Sequence, residues 1–458
     1  MRSTGRNSTI LYLFYVISLV LAAIGKNAVG LRPLYLCFIV TILFISTKTK
    51  LRIKFDKCAT VLFPLFLSLT TQIAIFNSSA NYVASASFGT IQISDLLIIY
   101  MLFRVVDKQH IQEHIHNYHL ILCFFAFSII SIFYASSIEY ALAGINLFIK
   151  TFVIFLWYGS LLDEHKKYFV DSFKIAILFQ GLLSCTQYVI GGPIGLTFLG
   201  EVSTSFRTRI VDGIVEAGTA GTFAHSGRLA IYLAVCLAYM FFCEEKNIRK
   251  AIYIVIAFLG MWFASSRMTI IGLALAIVYT VFKNREKLRQ KKYFYTFVFI
   301  LTLIPLFIYL SYRSGKLDMF FNSDILLQTS NRTVHWGIAF SEIMKHPITG
   351  YGINNYAAVM SKINSSLFFY TNPVHNVYLL YWFELGIIPV ILYVVILLKS
   401  IFLFKNIRRL DGVQKGALTI LVSVIIYNFT GWSMSSAPAV YFVWMAIGLV
   451  NKKGEHGI

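Results

Sequence analysis

Fourteen apolar runs, each close to the length of a membrane span, leave this chain few ways to fold. They fall at approximately 9–24, 31–46, 58–76, 90–106, 118–134, 141–161, 168–190, 226–243, 251–264, 268–283, 293–312, 376–399, 417–433 and 438–450. A helix of about 20 apolar residues crosses the hydrocarbon core of a bilayer. Backbone N–H and C=O groups meet no water there, so only helices and closed barrels satisfy them. Alternating segments of the barrel type are absent from the sequence. The fold class expected is therefore all-α, a polytopic transmembrane bundle of about 14 helices. Only 13% of the residues are charged, against roughly 25% in a soluble domain.

The charges that remain are distributed unevenly. Forty basic residues against 20 acidic ones give a net charge of +20, which on a soluble protein would suggest nucleic acid. Here the positive-inside rule accounts for it. With Arg2 and Arg6 placed in the cytoplasm, the connections alternate, and those falling inside are basic. They hold Lys48, Lys50, Arg52, Lys54 and Lys57, then Lys246, Arg249 and Lys250, then a run from Lys283 to Lys292, then Lys405, Arg408, Arg409 and Lys415, with Lys452 and Lys453 in the tail. The outside connections at 77–89, 135–140 and 433–437 carry no lysine or arginine. This puts both termini in the cytoplasm, reads the first run as an uncleaved anchor, and gives no reason to expect a nucleic-acid partner.

Six cysteines lie within apolar runs or at their cytoplasmic ends, without a CxxC, so neither a disulfide nor a metal site is expected. His110, His114, His116 and His119 read as a solvated juxtamembrane segment. The chain 1–458 reads as one integral membrane domain.

Two exterior loops are long, at 191–226 and 313–375, and long loops in compact proteins commonly carry function. The second holds an expected surface helix from Asn331 to His346, with Trp336, Phe340 and Ile343 facing inward and Pro347 and Gly350 ending it. Arginines gather on this exterior side: Arg207 and Arg209 in the first loop, Arg228 at a helix start, Arg267 after Ser265-Ser266, and Arg332 at the start of the surface helix. Topology disfavours cations there, and a guanidinium matches phosphate oxygens two at a time. They are candidate anion ligands, with headgroup contacts or carboxylate pairing as the alternative.

His375, beside Pro373 and Asn376 where the second loop re-enters an apolar run, is a candidate general base. Asn376 could orient it or a substrate hydroxyl, and the structural alternative for His375 is that it caps the following helix or bonds a backbone carbonyl. Glu384, deeper in the same run, is either part of the site or the partner of an arginine. Asp95 and Lys150 are further intramembrane charges, expected to form a structural pair.

Ser265-Ser266-Arg267, the segment Asn331-Arg332…Trp336…His346-Pro347…Gly350-Tyr351-Gly352, and His375-Asn376 followed by Gly386 together resemble the O-antigen polymerase/ligase family, over roughly residues 200–400. Pro389 departs from the family pattern, in a way that bears on helix geometry. The spacing from Arg207 to Gly218 is similar to a polymerase pattern. The resemblance implies a bacterial inner-membrane glycosyltransferase of the GT-C type. Its donor would be an undecaprenyl-diphosphate-linked oligosaccharide, used at the periplasmic face without a metal or other cofactor. By carry-over, Arg267 and Arg207 or Arg209 would hold the diphosphate, Arg332 would line the same cavity, and His375 would take the acceptor proton. Membrane lipid and a chain-length regulator protein are the further partners it admits. Polymerisation of repeat units is the activity expected. Ligation of finished polymer to lipid A-core is the alternative, and a lipid-linked oligosaccharide flippase is the reading from another class.

Overall fold

The structure, a computed structural model, describes residues 52–70, 72–74, 90–107, 115–161, 163–202, 207–211, 214–244, 247–283, 334–363, 373–402, 410–431 and 435–452. The expected spans at 9–24, 31–46 and 293–312, and Arg332, lie outside the described residues.

Helix follows helix along the chain: α1 (Arg52–Phe66), α2 (Ile93–Asp107), α3 (Tyr118–Ile130), α4 (Ile138–Gly159), α5 (Asp163–Ile190), α6 (Ser226–Cys243), α7 (Asn247–Phe263), α8 (Arg267–Lys283), α9 (334–343), α10 (Tyr356–Ile363), α11 (Val377–Leu385), α12 (Ile387–Phe402), α13 (Gly412–Asn428) and α14 (Ala439–Asn451). Among them α4, α6 and the segment of α5 from Tyr168 to Ile190 are long and apolar enough to cross a membrane. This is a helical membrane protein.

Two short antiparallel hairpins interrupt the helices, which the sequence did not lead us to expect. β1 (Gln72–Ala74) pairs with β2 (Thr90–Gln92), and β3 (Arg207–Val211) with β4 (Ile214–Gly218). The apolar run 58–76 is therefore not one helix. α1 carries Pro64 inside it and stops at Phe66, and the chain then enters a strand.

α6 and α14 are the buried centre, because both are apolar on every side. All of α14 from Ala439 to Asn451 is buried. Gly448 brings α14 against the Phe155 carbonyl and the Gly159 N–H of α4, the close approach that small residues allow between membrane helices. Trp444 fills the space beside it, 5.2 Å from Phe124 and 4.6 Å from Phe125 between ring centroids. Asp95 and Lys150 do pair, at 2.8 Å between α2 and α4, and Asp95 also accepts from the Gln92 N–H at 3.0 Å.

The connections sort to two ends. At one, Arg104 meets Asp56 at 2.9 Å, Lys174 meets Glu244 at 2.8 Å, Lys166 meets Asp411, and the Lys452 ammonium reaches the Leu161 carbonyl at 2.6 Å. At the other, the 135–140 connection is laced to the second long loop. The Ser136 N–H donates to the Tyr351 carbonyl (3.2 Å), the Ser137 N–H to Asn355 Oδ1 (2.7 Å), and Asn354 Nδ2 to the Tyr140 carbonyl (2.9 Å). Each set joins segments that the charge pattern assigns to one common side.

Candidate functional site

α13 gives a common reference for the site. α6 runs antiparallel to it, with Gly416 against Tyr239 and Gly412 against Cys243. The same register carried to the far end sets Arg228, in the first turn of α6, level with Tyr427. α8 is also antiparallel to α13. The Thr280 and Thr419 hydroxyls lie 2.9 Å apart, and Gly272 faces Ser423 and Ile426. Arg267, the first residue of α8, is thereby level with the turn that follows α13. From α11, the Tyr378 hydroxyl donates to the Ile425 carbonyl at 3.4 Å, and its ring is 4.9 Å from Phe429. The starts of α6, α8 and α11 thus meet around the last turn of α13, at the end away from the basic cluster.

That meeting has an electrostatic consequence. A helix start presents unpaired N–H groups and the positive end of the helix dipole, and it favours anions. An arginine in a first turn is disfavoured by the same dipole. Two of these three starts carry one, Arg228 and Arg267, and His375 lies two residues ahead of the third.

The first long loop feeds the same end. Arg207 is the register partner of Gly218, and Arg209 that of Glu216. A Cβ on Gly218 would lie 3.6 Å from the Ser226 side chain and 3.7 Å from the Ala264 carbonyl, and the Thr219 N–H donates to the Phe263 carbonyl at 3.0 Å. The Arg207 backbone is therefore beside the start of α6 and the turn that leads to Arg267. The spacing from Arg207 to Gly218 is the register of a hairpin. Its signal is Asp212-Gly213 between the apolar pairs Ile210-Val211 and Ile214-Val215, a sequence that favours a two-residue hairpin loop.

Beyond Gly218 the chain turns inward as a buried strip, which a polar stripe on α5 holds. Gln180, Ser184 and Gln187 recur at helical spacing on one face. Gln180 Nε2 donates to Thr222 Oγ1 at 2.6 Å, Ser184 meets the Thr219 hydroxyl, and Gln187 exchanges bonds with Gly221, accepting its N–H at 2.8 Å and donating to its carbonyl at 3.0 Å. Gln187 also donates to the buried carboxylate of Glu201 at 2.7 Å, which accepts the Ile194 N–H at 2.8 Å. A backbone strip this deep needs every polar group satisfied from within. The sequence signal for this stripe is polar residues at i, i+4 and i+7 within an apolar run.

The second long loop crosses a break in the span expected at 376–399. Gly386 has φ +83° and ψ 175°, and it separates α11 from α12. Asn376 and Leu398 would stand about 33 Å apart on one straight helix at 1.5 Å per residue. Both line one groove instead, so the chain bends sharply at Gly386. At the break the Pro347 carbonyl accepts from the Ile387 N–H (3.1 Å) and from Trp382 Nε1 (2.9 Å), while the Tyr351 and Gly352 N–H groups donate to the Phe383 and Glu384 carbonyls, each at 2.9 Å. A Cβ on Gly350 would lie 2.6 Å from the Glu384 carbonyl oxygen, and one on Gly386 would overlap that of Ile348. Pro389 falls in the first turn of α12, where its missing N–H costs nothing.

Two expectations change here. Asn376 is the N-cap of α11, its Oδ1 accepting from the Leu379 N–H at 3.1 Å, so capping belongs to Asn376 and not to His375. Glu384 is buried, and its carboxylate accepts from the Tyr356 N–H at 3.2 Å. No cation pairs with it among the described residues, so it ties the loop to the break. The surface helix also turns differently. Ala339, Glu342 and Ile343 of α9 face inward, and Phe340 is exposed with its ring 6.0 Å from Trp382. The Tyr351 phenol donates to Glu342, and burial together with that carboxylate pushes it above its ordinary range.

The groove at the bend measures about 400 Å³. α11 contributes Asn376, Leu379 and Trp382, α12 contributes Val390, Val394 and Leu398, and α13 contributes Ile425. Tyr378 and Trp382, which also line it, spend their donors on backbone carbonyls. Among the described residues Asn376 Nδ2 makes no such bond, so the polar end of the lining lies next to His375. The groove is apolar elsewhere, and through Asn376, Ile425 and Phe429 it borders the start of α11 and the end of α13.

No curated protein matches the chain. Residues 252–394 match the family described as O-antigen ligase. The matched stretch runs from α7 into α12. It contains Arg267, Arg332, His375, Asn376, Glu384 and the Gly350–Gly386 crossing, and it leaves Arg207, Arg209 and Arg228 outside. Over this segment the chain is similar to the O-antigen polymerase/ligase family.

Proposed function

We propose that the protein is a glycosyltransferase that joins undecaprenyl-diphosphate-linked oligosaccharide repeat units at the periplasmic face of the bacterial inner membrane. One observation carries the reading: the starts of α6, α8 and α11, with Arg228, Arg267 and His375, meet around the last turn of α13 beside an apolar groove. An anion and an isoprenoid tail are the two halves of such a donor.

In the reaction, an acceptor hydroxyl oxygen attacks the anomeric carbon. The bond from that carbon to the phosphate oxygen breaks, and the diphosphate leaves with the electron pair. Arg228 and Arg267, with Arg207 or Arg209 from the hairpin, stabilise the charge that develops. Fixed donors in a site shielded from water do this without reorganising. His375 takes the hydroxyl proton, a contribution of about 10²–10⁴-fold. Asn376, with its oxygen committed to the helix, has its amide donor left to orient the acceptor. Arg332 is assigned to the same group from its sequence motif alone, and Glu384 supports the loop.

The test is turnover of a defined lipid-diphosphate oligosaccharide by purified protein and by His375→Ala. Chain growth by the wild type, and loss of growth in a variant that still inserts in the membrane, is the expected result. Full-length glycan from the variant would remove His375 as base. Transfer only to lipid A-core would make the protein a ligase, and lipid movement across vesicles without growth would make it a flippase.

A further inference from the structure

The face that α9 turns away from the protein is apolar. Phe340 and Met344 are exposed one turn apart, and Ile348 follows at the same interval with 65% of its surface open. Beside them Ser341 and Lys345 form a polar edge, where the Lys345 ammonium pairs with Glu342 at 2.7 Å. An apolar stripe next to a polar edge is the pattern of a helix that lies in a membrane interface.

Depth and continuity both name lipid as what covers this stripe. Ile348 adjoins Gly386, where α12 begins. At the far end of α12 the Ser400 hydroxyl accepts from Asn451 Nδ2 at 2.8 Å, beside Lys452. From Ile387 to Ser400 the helix rises about 20 Å at 1.5 Å per residue. α4 gives a second measure, because Gly144 packs against Ile353 and Gly159 against Gly448. The rise from Gly144 to Gly159 is about 22 Å. A hydrocarbon core is about 30 Å thick, so the crossing from Pro347 to Ile353 lies within it. The backbone there is satisfied without water, as that depth requires. The Gly350 N–H donates to the His346 carbonyl at 3.0 Å, the Ile353 N–H to Ser131 Oγ at 3.0 Å, and those of Tyr351 and Gly352 to α11. Ile348 also stands at the head of α12, where Ile388 and Ile391 are exposed on the flank of an apolar helix. The open apolar surface of α12 thus continues through Ile348 onto α9.

We propose that α9 is an interfacial helix, sunk in the lipid leaflet at the site's end of the molecule, with Phe340, Met344 and Ile348 against acyl chains. Trp382 joins this surface to the groove, since it lines the groove and its ring lies 6.0 Å from that of Phe340. Lipid that borders α9 therefore reaches the rim of the groove without entering water.

The test uses the full chain in phosphatidylcholine vesicles, with the native cysteines replaced and a nitroxide on Met344→Cys or Ile348→Cys. Collision of the nitroxide with oxygen, which concentrates among acyl chains, is compared with collision with a water-soluble nickel chelate. Both positions are expected to meet oxygen and to be shielded from nickel, while the same label on Ser265→Cys meets nickel. Nickel access at either position would place the stripe in water and overturn the proposal. Shielding from both reagents would mean that protein covers the stripe, either a second copy or another part of this chain, and would overturn it equally. A second measurement needs no substitution. Wild-type protein is irradiated in vesicles that contain a phospholipid with a diazirine at the end of its acyl chain. Crosslinks on the peptide 334–349 are expected, and crosslinks on α12 without any on that peptide would overturn the proposal. Neither measurement requires glycan transfer, so a failure of the transfer reading leaves the lipid contact standing.

Discussion

Single residues at this site divide by what their atoms are already doing. Asn376 looked like a partner for His375, yet its oxygen caps α11, and only its amide donor remains for chemistry. Glu384 read as either part of the site or an arginine's partner, and its carboxylate holds the Tyr356 N–H. Residue type and spacing located both positions and left open which neighbour would claim them: for Asn376 it is a backbone N–H three residues on in its own helix, and for Glu384 one from the preceding loop, 28 residues back. The Asp95–Lys150 pair was readable, since two opposite charges in apolar runs have strong reason to meet. It also gives a test. Asp95 is 4% exposed, and Lys150→Met would leave its carboxylate buried without a cation. Breaking a buried pair in this way costs about 3–5 kcal/mol. A lower melting temperature in detergent is expected for Lys150→Met, with most of the loss recovered when Asp95→Asn is added. Equal melting of the wild type and the single variant would mean the pair holds nothing together.

Elements were legible wherever a long apolar run had no competing contact, as for α4, α6, α7 and α14, whose limits fall within a few residues of the pattern. The run 376–399 misled because nothing in its hydropathy marks a break. Its signs are Gly386 and Pro389 three residues on, and neither alone distinguishes a bend from close packing. The structure shows both: φ +83° with ψ 175° is open essentially to glycine only, and the Ile348 carbonyl occupies the space a Cβ would need. Gly386→Ala should therefore cost at least about 3 kcal/mol, the sum of strained backbone and a displaced loop. Gly337 in α9 is the control, since a Cβ there meets nothing within 4 Å. Gly337→Ala should be neutral or stabilising by about 0.5–1 kcal/mol. Thermal unfolding of the two variants checks this, and a stable Gly386→Ala protein would show that α11 and α12 tolerate another path. The hairpin and the α5 stripe were missed for a different reason. Each is short and polar within a background whose dominant signal is apolar length.

For the whole molecule, the useful sequence signal was the side on which charge falls, because insertion acts on charge before packing does. Packing then brings together what insertion has sorted. Lys166, Lys174 and Lys452 meet partners at one end, while the first turns that carry Arg228 and Arg267 open at the other. The proposed site follows from that sorting, since a diphosphate donor at the periplasmic face, as proposed above, could be met only by cations placed against the topological bias. Cysteine labelling tests the orientation directly. With the native cysteines replaced, Ser265→Cys at the exposed turn before α8 and Asn247→Cys at the exposed start of α7 place thiols at opposite ends. A maleimide reagent that cannot cross the membrane should modify Ser265→Cys in intact spheroplasts and reach Asn247→Cys only after permeabilisation. The reverse pattern would put the arginines and His375 in the cytoplasm, where a periplasmic lipid-linked donor never meets them.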